Sequence, residues 1–307
     1  MCAAHARGSA PLQAASAVTD ARCVLPARAL LGEGPLWDWE DRCLYWVDIK
    51  GRAVHRFDPA TGRDTRWPTP ETIGSLVRRA RGGLVLALRS GFHALDLDTG
   101  AIEPLVTAEH DRPENRLNDG KPDRRGRFWA GSMHDPATAA TGALYRLDPD
   151  GSCRRMVDGV VISNSLCWSP DGRTMYHADT MARIVWAWDS DPDRGEIANR
   201  RVFVTLSGDE GNPDGATVDA DGFVWLAHWD GWQVSRHDPT GRTERVIRLP
   251  VQRPTCPAFG GPALDVLYVT SATIGLSPAA LAAQPCAGGL LAIEPGVRGV
   301  AEARFPG

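Results

Sequence analysis

Four stretches of the chain bring together residue types that hold cations and move protons. The densest is Arg116-Leu117-Asn118-Asp119-Gly120-Lys121-Pro122-Asp123, set directly before the β-rich run Gly126-Arg127-Phe128-Trp129-Ala130-Gly131-Ser132-Met133. A polar cluster at the mouth of a buried strand is costly unless partners satisfy it. Three other places carry a lone polar residue ahead of a similar run. They are Glu33 in Leu31-Gly32-Glu33-Gly34-Pro35, Asn164 in Ile162-Ser163-Asn164-Ser165, and Asp214 in Asn212-Pro213-Asp214-Gly215. If these four strand mouths face one another, Glu33, Asn118, Asn164 and Asp214 offer four oxygen donors, two of them anionic. Carboxylates forced together repel, and one takes up a proton unless a cation sits between them. Such donors suit a hard divalent ion with positions left open for water or substrate. The absence of Cys and His from the set argues against a closed structural zinc site. The plainer alternative has Glu33 and Asp214 holding backbone amides in turns beside Gly34 and Gly215.

Other polar residues have two readings each. Arg116 lies two positions before Asn118, so on an extended segment both point the same way. A guanidinium there suits a polyhydroxylated or anionic substrate; otherwise it is a surface ion pair. Asp119 and Asp123 read as turn and loop residues that hold the segment. His134 and Asp135 either line the site or begin the loop to Gly142. His177, His228, Trp229 and Trp232 lie near strand ends, where they read as core or rim residues, with a place in the pocket wall as the alternative.

These residues need a frame, and repeats supply it. A turn leads into a strand rich in β-branched and aromatic residues, as in Cys43-Leu44-Tyr45-Trp46-Val47-Asp48, Gly126-Arg127-Phe128-Trp129-Ala130 and Gly222-Phe223-Val224-Trp225-Leu226-Ala227. A second strand then ends in Asp-Pro or a relative, as in His55-Arg56-Phe57-Asp58-Pro59 and Tyr145-Arg146-Leu147-Asp148-Pro149. Asp-Gly and Asp-Pro-x-Gly provide the backbone conformations that hairpin turns require. Six copies at roughly 40–55 residues predict an all-β chain, a six-bladed β-propeller of four-stranded blades. Glu33, Asn118, Asn164 and Asp214 then face the axis from blades one, three, four and five. Blades two and six offer Ile73-Gly74-Ser75-Leu76 and Cys256-Pro257-Ala258-Phe259-Gly260-Gly261. The run 22–27 supplies the outer strand of the last blade and closes the ring, which removes sheet edges. One short helix is predicted, opening on Ser277-Pro278 and broken by Pro285.

The bulk numbers narrow the function classes. The net charge is −4 and the pI about 6.1, with no basic surplus for nucleic acid or an anionic membrane. No stretch approaches the roughly 20 apolar residues of a membrane span. Seven cysteines, an odd number without a Cys-x-x-Cys pair, read as reduced thiols in a cytoplasmic protein. Residues 1–20 are Ala/Ser-rich and aperiodic, and His5, Arg7, Gly8, Pro11 and Gln13 break any apolar signal core. They are expected to be a disordered tail ahead of a single domain over 21–307. The partner expected is a small molecule, acted on by a monomer or weak homo-oligomer.

The runs around Glu33, Arg116–Asp123, Asn164 and Asp214 resemble the signature segments of the regucalcin (senescence marker protein-30)/gluconolactonase family. Phe259-Gly260-Gly261-Pro262 and Leu267-Tyr268-Val269-Thr270-Ser271-Ala272 do so too. The likeness runs in order from about Arg22 to Ala292. The stretch from Gly275 to Gly289 is similar to the bacterial sugar-lactonase branch, which includes xylonolactonases. The resemblance implies a six-bladed propeller holding one divalent metal and hydrolysing sugar lactones. It makes Glu33, Asn164 and Asp214 the metal ligands, Asn118 a residue at metal and substrate, and Arg116 a substrate-binding residue. Vertebrate members carry a glutamate after the strand 128–133, where this chain has His134-Asp135-Pro136. Recognition of sugar hydroxyls on that side, and hence the sugar, is left open.

On this reading the cation polarises the lactone carbonyl, and Asp214 is the general base for the attacking water. The ion is calcium, zinc, manganese, magnesium or ferrous iron, and the substrate an aldonolactone such as xylonolactone, gluconolactone or arabinolactone. Two alternatives share the site: a non-catalytic calcium-binding regulatory protein, and an esterase or phosphotriesterase on the same frame.

Overall fold

The computed structural model describes residues 21–307, so the expected tail over 1–20 lies outside the described residues. Six four-stranded antiparallel sheets stand around an axis, as the repeats predict. Their inner strands are Gly32–Asp38, Ile73–Arg78, Asn115–Pro122, Ser163–Trp168, Asn212–Val218 and Pro254–Gly260. Blades one to five each run outward through four consecutive strands. The sixth borrows its outer strand, Arg22–Leu25, which pairs with Leu290–Ile293. Strands from near the two ends of the described chain thus share the sixth blade and close the ring. The predicted helix is present as Pro278–Ala283, with the Ser277 side chain accepting the Ala280 amide.

Apolar side chains pack between blades, where each sheet turns a face to the next. Tyr45, Trp129 and Trp225 sit at matching positions in blades one, three and five, opposite Leu36, Lys121 and Thr217, and are fully buried. Two of them show why Asp-x-x-Gly recurs. Asp123 accepts the Trp129 indole N–H at 3.0 Å and the Arg127 Nε at 2.6 Å. Asp219 accepts the Trp225 indole at 2.9 Å and Arg236 Nε at 2.8 Å. One carboxylate per turn thereby satisfies a buried indole and fixes the hairpin, so Asp123 has the turn role expected of it.

The last residues form a strap that the sequence pattern does not announce. Gly299 bridges Asp219 of blade five, and Phe305 bridges Arg79 of blade two. On the way, Glu302 meets Arg124 at 3.3 Å, and Arg304 meets Asp38 at 2.9 Å and Glu40 at 2.6 Å. Phe305 is buried against Phe128 and its neighbours. All these partners lie at or beyond the finishing ends of inner strands. The strap therefore covers one end of the axis, and the strand mouths open at the other.

Candidate active site

The same backbone irregularity recurs on all six inner strands. The pairing register shifts between Glu33 and Leu36, Ile73 and Ser75, Leu117 and Gly120, Asn164 and Cys167, Pro213 and Ala216, and Pro254 and Pro257. A bulge adds an unpaired residue and re-aims the side chains beside it. Here it turns Glu33, Asn118, Asn164 and Asp214 out of simple alternation and toward the axis. Gly34 and Ser165 sit in these bulges at φ 53° and 59°. Gly34 takes that conformation freely, whereas Ser165 is held there with its hydroxyl donating to the Asp214 carbonyl.

Together the mouths enclose a cavity of about 360 Å³, within the range of roughly 300–1,000 Å³ of small-molecule sites. Glu33, Arg116, Asn118, Asn164 and Asp214 all line it. Asn118 donates to Asn164 Oδ1 at 3.1 Å and to the Ser163 carbonyl at 2.9 Å, while its own Oδ1 accepts from Arg116 at 2.6 Å. Asn164 donates to Thr180 Oγ1 at 2.8 Å, and Thr180 donates to the Pro213 carbonyl at 2.8 Å. This chain of bonds ties blades three, four and five together across the floor. Arg116 Nε is held by Asp135 at 2.6 Å, and Lys50 of blade one holds the same carboxylate at 2.8 Å.

The electrostatics are those of an acid-rich pit. Burial pushes the Glu33 carboxyl up to about 8, and the charge of Asp119 adds to the effect. Burial, then the neighbouring Glu33 and Asp119, push Asp214 well above the usual carboxylate range. Arg116 is the cation that faces the pair, and burial lowers its own pKa. Its charge is also shared with Asp135, whose carboxyl Lys50 and Arg116 hold below the usual range against the effect of burial. The pit thus has more acid oxygens than cationic partners, a deficit that a bound divalent ion would fill. Glu33 and Asp214 with the Asn164 amide oxygen fit a hard cation. Among the described residues no group of three or more His, Cys, Asp or Glu stands in metal-binding array.

Residues 31–273 match the profile of the SMP-30/Gluconolactonase/LRE-like region. The chain belongs to this SMP-30/gluconolactonase/regucalcin family. It is 39% identical to regucalcin of Xenopus laevis over 292 residues, which span 93% of this chain and 98% of that protein. It is 37% identical over 287 residues to the 6-deoxy-6-sulfogluconolactonase of Pseudomonas putida, at the same coverage of 93% and 98%. A solved structure from Agrobacterium tumefaciens, described as the calcium-binding protein regucalcin, superposes with a TM-score of 0.89 at 32% identity. It covers 94% of this chain and 97% of its own.

The remaining polar and aromatic residues divide between the site, the core and the rim, and Asp119 departs from its expected role. Asp119 is a buried inner-strand residue, not a turn residue: its Oδ2 accepts the Leu166 amide at 2.8 Å beneath the site. The bulge explains this, since it turns a residue next to Asn118 into the channel as well. Asp135 lines the cavity, whereas His134 turns away to Glu114 at 3.0 Å. His177 and His228 are buried core residues bonded to Ser163 and Ser235. Trp229 lines the cavity, and Trp232 is 39% exposed. Glu33 does hold the Gly34 amide, at 3.0 Å, through one oxygen. Lys50, Thr180 and Arg253 were not foreseen. Each follows the end of a strand or starts one at the open rim, and that position is the signal that could have found them.

Proposed function

We propose that this member of the family hydrolyses a sugar-acid lactone with the help of one divalent cation held by Glu33, Asn164 and Asp214. The observation that carries the reading is the pair of buried carboxyls, Glu33 and Asp214, facing a cavity that Arg116 also enters. When bound, the cation would supply Lewis-acid polarisation of the lactone carbonyl. Asp214 takes the proton of the attacking water as its oxygen bonds to the carbonyl carbon. The ring C–O bond then breaks, and the proton passes to the leaving alkoxide, giving the hydroxy acid. Arg116 is anchored through Nε on Asp135 and through Nη1 on Asn118. Its Nη2 makes no hydrogen bond among the described residues, which leaves a donor for a substrate oxygen in the cavity that Arg116 lines.

Calcium, magnesium, manganese, ferrous iron and zinc are all compatible with the donors. Glucono-, xylono- and arabinolactone are the candidate substrates, and the sulfogluconolactonase relative supports a lactone over another ester. Six unpaired thiols among the described residues support a reducing, cytoplasmic setting. Cation binding without turnover would use the acid pair but leaves the anchored Arg116 and the cavity without a role. The test is acid release from a panel of aldonolactones after chelation and re-addition of each metal. Asp214→Asn and Asp214→Ala should cut kcat by at least about 100-fold, at the lower end of what general acid–base catalysis contributes. Wild-type turnover in a cation-loaded Asp214→Ala protein would remove Asp214 from this role.

A further inference from the structure

The polar groups of the cavity lie at its floor and rim, and the wall between them is apolar. Leu31, Ile49, Met133, Ile162, Trp229 and Ile274 form that wall, contributed by several different blades. Met181 extends it to the rim, where it is 55% exposed. The wall is held by its backbone: the Ile274 amide donates to Leu30 at 2.9 Å, and its carbonyl accepts from Arg253. Arg253 also lies over the Trp229 ring at 4.7 Å from its centroid, which fixes that indole.

Beside the wall, Lys50 is bonded to Asp135, Arg253 to Asp230 at 2.6 Å, and the Asn212 side-chain oxygen accepts from Arg183 at 3.0 Å. The Leu31, Ile162 and Ile274 side chains themselves carry no donor or acceptor, so a hydroxyl pressed flat against them loses its water there without compensation. A methyl or methylene in the same place gains apolar contact.

We propose that the substrate presents an apolar, deoxygenated edge to this wall. The ring carbonyl sits over the acid pair, and the far end of the lactone carries an alkyl or deoxy carbon in place of a hydroxymethyl group. The site is thus selective for deoxy-sugar or alkyl-substituted lactones over fully hydroxylated aldonolactones. This rests on the lactonase reading above and narrows it: glucono-, xylono- and arabinolactone are turned over, but less well than lactones with a deoxygenated far end.

The experiment compares kcat/KM for a hexono-1,5-lactone and the 6-deoxyhexono-1,5-lactone of the same configuration, using cation-loaded wild type and Ile274→Asn. Small apolar differences in a pocket are worth about 10–200-fold in specificity, so the wild type should favour the deoxy lactone by about tenfold or more. In Ile274→Asn the ratio should fall at least threefold. A wild-type ratio below about threefold, or a ratio that the variant leaves unchanged, overturns the proposal while leaving the lactonase reading standing. Absence of turnover with these two and with the whole aldonolactone panel, under every added cation, overturns both.

Discussion

Because Glu33 and Asp214 are raised together, the cation-free protein should lose stability as the pH rises through neutrality. A carboxyl raised from 4.5 to about 8 on folding favours the protonated folded state by roughly 5 kcal/mol. That contribution is complete below the unfolded value and disappears as the pH passes the folded one. The clean window is from about pH 6.5 to about pH 8. Below it, His177 and His228, pushed down to about 4 by burial, act in the opposite direction. Above it, Cys23 and Cys153, pushed up to about 11 by burial, begin to matter. Across the window, linkage gives a loss of about 1–2 kcal/mol for one group titrating near 8, or a drop of a few °C in Tm for a chain of this size. The assay is thermal unfolding of chelated protein at several pH values, in parallel with Glu33→Gln. The variant mimics the protonated acid, so it should show a flatter profile and equal or exceed the wild type at pH 8. Saturating divalent cation should flatten the wild-type profile, since the ion binds the ionised pair. A chelated wild-type Tm that holds or rises across the window, or a slope shared by Glu33→Gln, would refute the reasoning.

The other predictions probe the supports of the site. Asp119→Asn keeps the acceptor for the Leu166 amide but removes a buried negative charge beneath the pair. Cation affinity measured by calorimetric titration should fall about 10–100-fold, the usual effect of altering a group behind the ligands. Phe305→Ala empties a buried slot under the strap and should cost about 3–5 kcal/mol in urea unfolding. It should leave KM unchanged, because the strap covers the end of the axis opposite the cavity. Gly74→Ala places a Cβ 2.3 Å from the Asn118 carbonyl and 2.6 Å from that of Leu117. It should cost at least the ~1–3 kcal/mol of an overpacked core, read by denaturation, and lower kcat/KM as well.

How much of this was legible in the sequence depends on which interaction fixes each element. The blades were legible because their strands and turns are set locally, by alternating aromatic and β-branched residues and by Asp-Gly turns. Ring closure by Arg22–Leu25 followed from the need to cover an edge. The convergence of residues 33, 118, 164 and 214 followed from their matching places in the repeat, once the repeat implied an axis. Asp119 was misjudged because Asp beside Gly120 carries the composition of a turn, and only the bulge in the paired strand puts it in the channel. The strap escaped because 297–307 has no repeat and no periodicity; its structure comes from ion pairs and bridges to residues up to 266 positions away. The apolar wall escaped for a similar reason. Leu31, Met133, Ile162 and Ile274 are ordinary core types, and only their joint position at the mouth sets them apart.

The two blades that bring no donor have a part in the site as well. Gly74 of blade two leaves room for the backbone of Asn118, which a Cβ there would strike. Gly215 lies so close to Cys256 of blade six that its own Cβ would fall 2.4 Å from the sulfur. The small side at each contact lets a donor-bearing strand crowd the axis. A six-fold ring of large side chains would hold the mouths apart, and four acids and amides could not share a cavity of this size. The donors and the spacers are therefore one arrangement. Enlarging Gly74 should damage cation binding even though it offers no ligand, and Ser75→Ala, which adds no volume beside it, should leave cation affinity unchanged. Equal cation affinities for Gly74→Ala and wild type, measured on folded protein, would show that the donors do not depend on that crowding.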